Sequence, residues 1–197
     1  MVADDEPIAD EAAPTFDHVM IDIETMSLHP HNALILSIGM VEFDPSPIEG
    51  LVIGERKLFL PDLEAQLGLG REVSASTQKW WMDQSPEARK HWAATGNTRE
   101  HLSSVLYRIR SFCADKKCIW ANGTQFDLSN LVGLNAQVSG EPLWHYQAPN
   151  DMRTFVRRTP ATRLVPIGDA LAIPGVPHDP IYDSTSQAWQ VWSHWAC

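Results

Sequence analysis

The chain has 197 residues, of which 25 are acidic and 15 basic, giving a net charge of −10 with histidine neutral, and 44% of them are hydrophobic. That length suits one domain with a substantial core and excludes two large ones, and no segment approaches the roughly 20 consecutive apolar residues of a membrane span. The acidic N-terminus, MVADDEPIADEAAP, lacks the basic-then-apolar order of a secretory signal, so a cytoplasmic protein without a membrane partner is expected.

Residues 1–15 read as a flexible acidic tail and residues 16–197 as a single domain. The first 14 residues carry five acids and no base, so half of the net charge belongs to the tail and the body holds only −5. Such a balance argues against a broad basic face for duplex DNA, but not against gripping one strand end in a metal-lined cleft. Cys113, Cys118 and Cys197 are odd in number and lack the paired spacing of structural zinc, so free thiols are expected.

Residues 17–25 alternate with period two: Val19, Ile21 and Ile23 share one face, and Met20, Asp22 and Glu24 the other. Residues 34–44 are an apolar run suited to a central strand, ended by Pro45-Ser46-Pro47, and residues 51–60 read as a third strand, giving a meander. Ser76 or Thr77 is the expected cap of a short helix carrying Trp80 and Trp81, and Ser85-Pro86-Glu87 has the pattern of another helix start. Leu102, Val105, Leu106, Ile109, Phe112 and Cys113 mark one face of a helix over 98–115, with Thr98 as its cap. A short strand at 117–122, helices at 125–138 and 151–158, a Pro-rich loop over 159–180 and a last helix from about Asp183 complete the pattern. Strands first, then alternating helix and strand, predict an α/β fold: a central mixed sheet, three-strand meander plus further strands, flanked by helices.

Asp22 and Glu24, two apart on a strand, emerge on one face about 7 Å apart. On a central strand that costs several kcal/mol unless cations compensate, the alternative being a solvated edge. Asn122 and Asp127 flank a strand-to-helix junction, where Thr124-x-x-Asp127 also reads as a capping box. His178 sits in a loop five residues before Asp183, which by itself reads as a helix N-cap. Together, D-x-E, N-x4-D and H-x4-D offer four carboxylates and an imidazole at element ends, where α/β sheets place their sites. Clustered carboxylates of this kind call for hard cations, Mg²⁺ or Mn²⁺ rather than zinc. Two such ions about 4 Å apart serve phosphodiester cleavage, with the histidine as base toward the attacking water.

MIDIET, ANGTQFDLSNL and HDPIYDS resemble the three motifs of the DEDDh 3′-to-5′ exonucleases, of ribonuclease H-like fold, and ALILSIGMVEFD, WWMDQSPEAR and NDMRTF resemble a compact bacterial and phage branch of that superfamily. The resemblance implies that Asp22, Glu24, Asp127 and Asp183 ligate two divalent cations, with Asp22 bridging them. It implies His178 as general base, and Thr25, Met26 and Asn122 in contact with the terminal nucleotide. Pro180 and Ser184 stand where the third motif commonly has alanine, and Pro180 is expected to stiffen the histidine loop. The implied activity is release of nucleoside 5′-monophosphates from 3′ ends of single-stranded RNA or DNA. The implied assembly is a homodimer, as is frequent among relatives.

Stacking and basic side chains hold single strands. Trp80 and Trp81 point about 100° apart on a helix and do not both belong to the core, so one of the two is open to stack on substrate, with Trp81 as the candidate beside Trp80 and packing as the alternative for either. Arg157, with Arg158, is the candidate to track phosphates, an exposed solvated helix face being the alternative, while Arg153 is expected to pair with Asp151 or a neighbouring acid. The rival readings are a catalytically inactive nucleic-acid-binding relative and a nucleotide phosphatase.

Overall fold

In β1 (His18–Thr25) the alternation sends Val19, Ile21 and Ile23 into one apolar cluster and Met20 into another, so helices cover both faces of this strand. The computed structural model describes residues 16–93, 98–163 and 175–195. The acidic tail, Cys197 and residues 164–174 of the Pro-rich segment lie outside the described residues.

β2 (Ile35–Asp44) and β3 (Val52–Phe59) continue from β1 as an antiparallel meander, while β4 (Cys118–Ala121) and β5 (Pro149–Asp151) add parallel strands on the other side of β1. The order is β3-β2-β1-β4-β5, a mixed five-stranded sheet with β1 at its centre. The three-residue β5 is not predicted from sequence: Pro149-Asn150-Asp151 has no β-branched or aromatic residue, and only its pairing with Ile119, Trp120 and Ala121 makes it a strand.

The amphipathic stripe expected near 98–115 is α3 (Leu102–Cys113), and with α4 (Asp127–Val138) it covers the Val19 face. Thr98 does not cap α3; His101 precedes the helix without a side-chain cap bond. Thr124 and Asp127 form no capping box either, because Asp127 is already the first helical residue and Phe126 precedes it. α1 (Leu63–Gly68) is unpredicted, being polar on its inner side: it buries Gln66, whose amide bonds both the N–H and the C=O of Ile35. α2 (Ala75–Met82) is capped by Ser74, not by Ser76 or Thr77. The Ser85-Pro86-Glu87 start leads into a 3₁₀ turn, Ala88–His91.

On the Met20 face lie α5 (Met152–Arg158) and α6 (Pro180–His194), whose Met152, Ala188 and Val191 join Met20 and Trp120 in one cluster. α6 starts three residues earlier than predicted. Asp179 caps it, accepting from the N–H groups of Ile181 and Tyr182, and Pro180 is its first residue. Pro180 therefore stiffens a helix start rather than a loop, and Asp183 sits in the first turn rather than at the cap.

The approach of α6 depends on Gly39. Gly39 is the register partner of Asp22, and a β-carbon there would lie 2.3 Å from the carbonyl of Pro180. Ser184 seals the contact by donating to the Gly39 carbonyl over 3.2 Å.

Candidate active site

β1 and α6 meet with matched spacing. Two strand residues advance about 7 Å and four helix residues about 6 Å, so Met20, Asp22 and Glu24 are met in turn by side chains of the α6 stripe Val191, Gln187 and Asp183. Met20 and Val191 share an apolar cluster, Gln187 Nε2 donates to Asp22 Oδ1 over 2.8 Å, and Asp183 is close enough to Glu24 to oppose its ionisation. One strand face thus passes from hydrocarbon to carboxylate within five residues. At its carboxylate end the β1–β2 register shifts between Glu24 and Thr25, a bulge of the kind that re-aims side chains beside sites.

Asp127 comes from the first turn of α4, after β4, and is 7% exposed. It joins Asp22, Glu24, His178 and Asp183 in the wall of one open cavity of about 980 Å³, at the C-terminal ends of the parallel strands β1 and β4. Asn122 also lines it. Three segments separated by some hundred and fifty residues therefore converge, as their joint pattern predicts.

The electrostatics record the cost of this convergence. Burial first, then Asp127, Glu24 and Asp183, hold the pKa of Asp22 well above the carboxylate range. Burial pushes Glu24 to about 7, with His178 opposing, and pushes Asp127 to about 7, with the backbone N–H of Ile23 opposing. Asp183 is raised by burial and eased by His178. Such a donor set is what a hard dication would return to its ionised form. Ligand atoms of Glu24, His178 and Asp183 all lie within 4.8 Å of one another, a group able to hold a metal ion.

His178 is held in an uncommon backbone conformation, φ +68°, the only non-glycine at positive φ among the described residues. Its N–H donates to Asp183 Oδ2 over 2.8 Å, and Lys90 anchors the adjoining Asp179 at 2.5 Å. The ring lies with Nδ1 3.7 Å from Glu24 Oε1 and with its centroid 4.8 Å from that of Trp80, edge to face. Glu24, and behind it Asp183, raise the imidazole pKa against the opposing effect of burial.

The expected nucleotide contacts divide. Thr25 lines an adjoining recess of about 400 Å³ with Ile23, Leu28, Thr77, Trp80 and Phe126. Met26 does not: it is buried with Leu34, Leu36 and Ala88, and its backbone is bonded to Leu34 and Ser74. Trp81 is 2% exposed and spends its indole N–H on the Thr25 carbonyl, so it forms the back of the recess, whereas Trp80, 42% exposed, is the ring presented to the opening. Arg157 is exposed on α5 but lines neither cavity; Arg153, one turn earlier, does. Nor does Arg153 pair with Asp151, whose oxygens accept from the N–H groups of Thr124 and Thr154; the acid its charge acts on is Asp127, whose ionised form it favours without a direct ion pair. Gln187 is missed from sequence, although its place four residues after Asp183 puts it on the same helix face.

Comparison with known proteins accords with this geometry. Residues 17–195 match the family described as the 3'-5' exoribonuclease Rv2179c-like domain. The exodeoxyribonuclease of Enterobacteria phage T4 is 33% identical over 129 residues, 60% of this chain and 55% of that relative, so the chain spans little more than half of its length. Among solved structures, E. coli exonuclease I in complex with a dT13 oligonucleotide superposes with a TM-score of 0.54 at 15% identity, over 90% of this chain and 41% of that one. The zinc-bound form of its single-stranded DNA complex gives 0.53 at 16% identity, over 88% and 40%. These structural likenesses show the fold, the ribonuclease H-like α/β layering that the sequence motifs imply. The chain belongs to the Rv2179c-like 3'-5' exoribonuclease domain family.

Proposed function

We propose that this family member is a metal-dependent 3′-to-5′ exonuclease that hydrolyses the terminal phosphodiester of a single-stranded nucleic acid and releases a nucleoside 5′-monophosphate. The observation that carries the reading is the convergence of Asp22, Glu24, Asp127, Asp183 and His178 on one cavity wall. Residues 16–197 act in it as one catalytic domain, with 1–15 as an acidic appendage, and a homodimer is the assembly to test by light scattering.

In this reading Asp22, Glu24, Asp127 and Asp183 would hold two hard dications, Mg²⁺ or Mn²⁺. When bound, such ions supply an activated water and neutralise the developing charge on the departing 3′-oxygen. Gln187 keeps one Asp22 oxygen fixed. His178, aimed by its backbone bond to Asp183, takes the proton of the attacking water at a ring nitrogen. The water oxygen bonds to phosphorus as the P–O3′ bond breaks, and the departing 3′-oxygen takes a proton from solvent, so the shortened chain leaves with a 3′-hydroxyl. Asn122 and the recess carrying Thr25 and Trp80 receive the terminal nucleoside.

The family description names RNA, whereas the phage relative is named for DNA and the superposed complex contains dT13. Both sugars are therefore substrates to be compared. Digestion of 3′- and 5′-labelled RNA and DNA oligomers with Mg²⁺, Mn²⁺ or EDTA tests polarity, sugar and metal together. Release of labelled mononucleotide only from 3′-labelled oligomers, and only with metal, is expected. Intact oligomers under every condition overturn the reading, and inorganic phosphate released from mononucleotides alone would make the chain a phosphatase.

A further inference from the structure

Arg153 is the only lysine or arginine among the described residues lining the carboxylate cavity. It is the second residue of α5, exposed, and among the described residues it makes no hydrogen bond or ion pair, although beyond ion-pair distance its charge favours the ionised form of Asp127. Its neighbouring acid is otherwise engaged: Asp151 Oδ2 accepts from Thr124 N over 3.0 Å and Oδ1 from Thr154 N over 2.7 Å. The guanidinium stands instead over the Gly123 backbone, where a β-carbon would lie 3.8 Å from Nη2.

That position is informative because of where it lies in the sheet. α5 follows directly on β5, two strands from β1, which is about 10 Å at the usual strand spacing. Arg153 is thus on the β4–β5 side of the cavity, whereas Glu24, His178 and Asp183 cluster on the β1–α6 side. A planar, bidentate donor with all its N–H groups free of hydrogen bonds to the described residues, coupled to the carboxylates only through its longer-range effect on Asp127, suits a phosphodiester that the carboxylates do not handle themselves.

We propose that Arg153 binds the first uncleaved phosphodiester, the one joining the second and third nucleotides from the 3′ end, and thereby makes the enzyme favour chains of three or more nucleotides over dinucleotides. This rests on the exonuclease reading and deepens it. The scissile linkage joins the last two nucleotides, so a dinucleotide has nothing for Arg153 to hold.

The test is a cycle of two changes read by release of the first nucleotide from trinucleotides in Mn²⁺. Wild type and Arg153→Gln are each given an all-phosphodiester substrate and one whose second linkage from the 3′ end is an uncharged methylphosphonate. With wild type the neutral linkage is expected to raise KM about tenfold, the size of one charge-assisted contact. Arg153→Gln is expected to show that raised KM already and to respond little to the neutral linkage, while Arg153→Lys falls between. Equal sensitivity to the methylphosphonate in wild type and Arg153→Gln overturns the inference, as does a loss confined to kcat. If wild type degrades no oligomer at all, the exonuclease reading fails with it; if wild type degrades oligomers but dinucleotides and trinucleotides react alike, only the Arg153 assignment falls.

Discussion

Gln187 and Asp22, 165 residues apart in sequence, are joined by a 2.8 Å hydrogen bond from Nε2 to Oδ1. Gln187 is 7% exposed, and its Oε1 is buried without a partner, so the amide is kept at some cost for what its NH₂ group does. Gln187→Leu removes the bond that orients the central carboxylate. Supporting residues of this kind typically contribute 10- to 100-fold to metal affinity or activity, so about that loss is expected in both Mn²⁺ binding by calorimetry and kcat. Unchanged Mn²⁺ affinity would show that Asp22 needs no such support.

Asp22→Asn should abolish nucleotide release while stabilising the metal-free protein. The substitution removes the carboxylate whose ionisation burial and three neighbours oppose, and its side-chain oxygen can still accept from Gln187. A gain of about 1–2 kcal/mol is expected in urea unfolding with EDTA. A loss of stability would mean that Asp22 is not under strain from its neighbours.

Stability without metal should fall as pH rises. Burial pushes Glu24 and Asp127 up to about 7 in the folded chain, well above the range of unfolded carboxylates. Between about 4 and 7 the folded state therefore holds protons that the unfolded state has lost, and stability is lost as pH rises through 7. His18, whose pKa burial lowers, works the other way below 6.5, so the informative measurement is the difference between wild type and Asp127→Asn. The variant should lose less stability between pH 5 and 8 in EDTA; parallel curves would refute the assignment.

His178→Ala should lower kcat by about 10²- to 10⁴-fold, the usual contribution of a general base, with little change in oligonucleotide affinity. Binding measured by anisotropy in Ca²⁺ separates the two. Equal losses in kcat and affinity would make His178 a binding residue.

Gly39→Ala should cost about 1–3 kcal/mol, as overpacking does, and reduce activity as well, because the contact it breaks sets α6 against β1. Full activity in a folded Gly39→Ala protein would show that the α6 approach tolerates adjustment.

The sequence by itself determined which side chains share a face and which lie at element ends. Strand alternation placed Asp22 and Glu24 together, helix periodicity gave the Leu102–Cys113 stripe, and local motif order set Asn122, Asp127, His178 and Asp183 at junctions. These are properties of spacing along the backbone, fixed within a few residues. Tertiary structure alone decided that Trp80 rather than Trp81 faces the opening, that Arg153 rather than Arg157 lines the cavity, that Met26 is core and that Gln187 supports Asp22. Each of those outcomes depends on what a distant segment places opposite a side chain. Burial and pairing are set by long-range packing, which local periodicity does not encode.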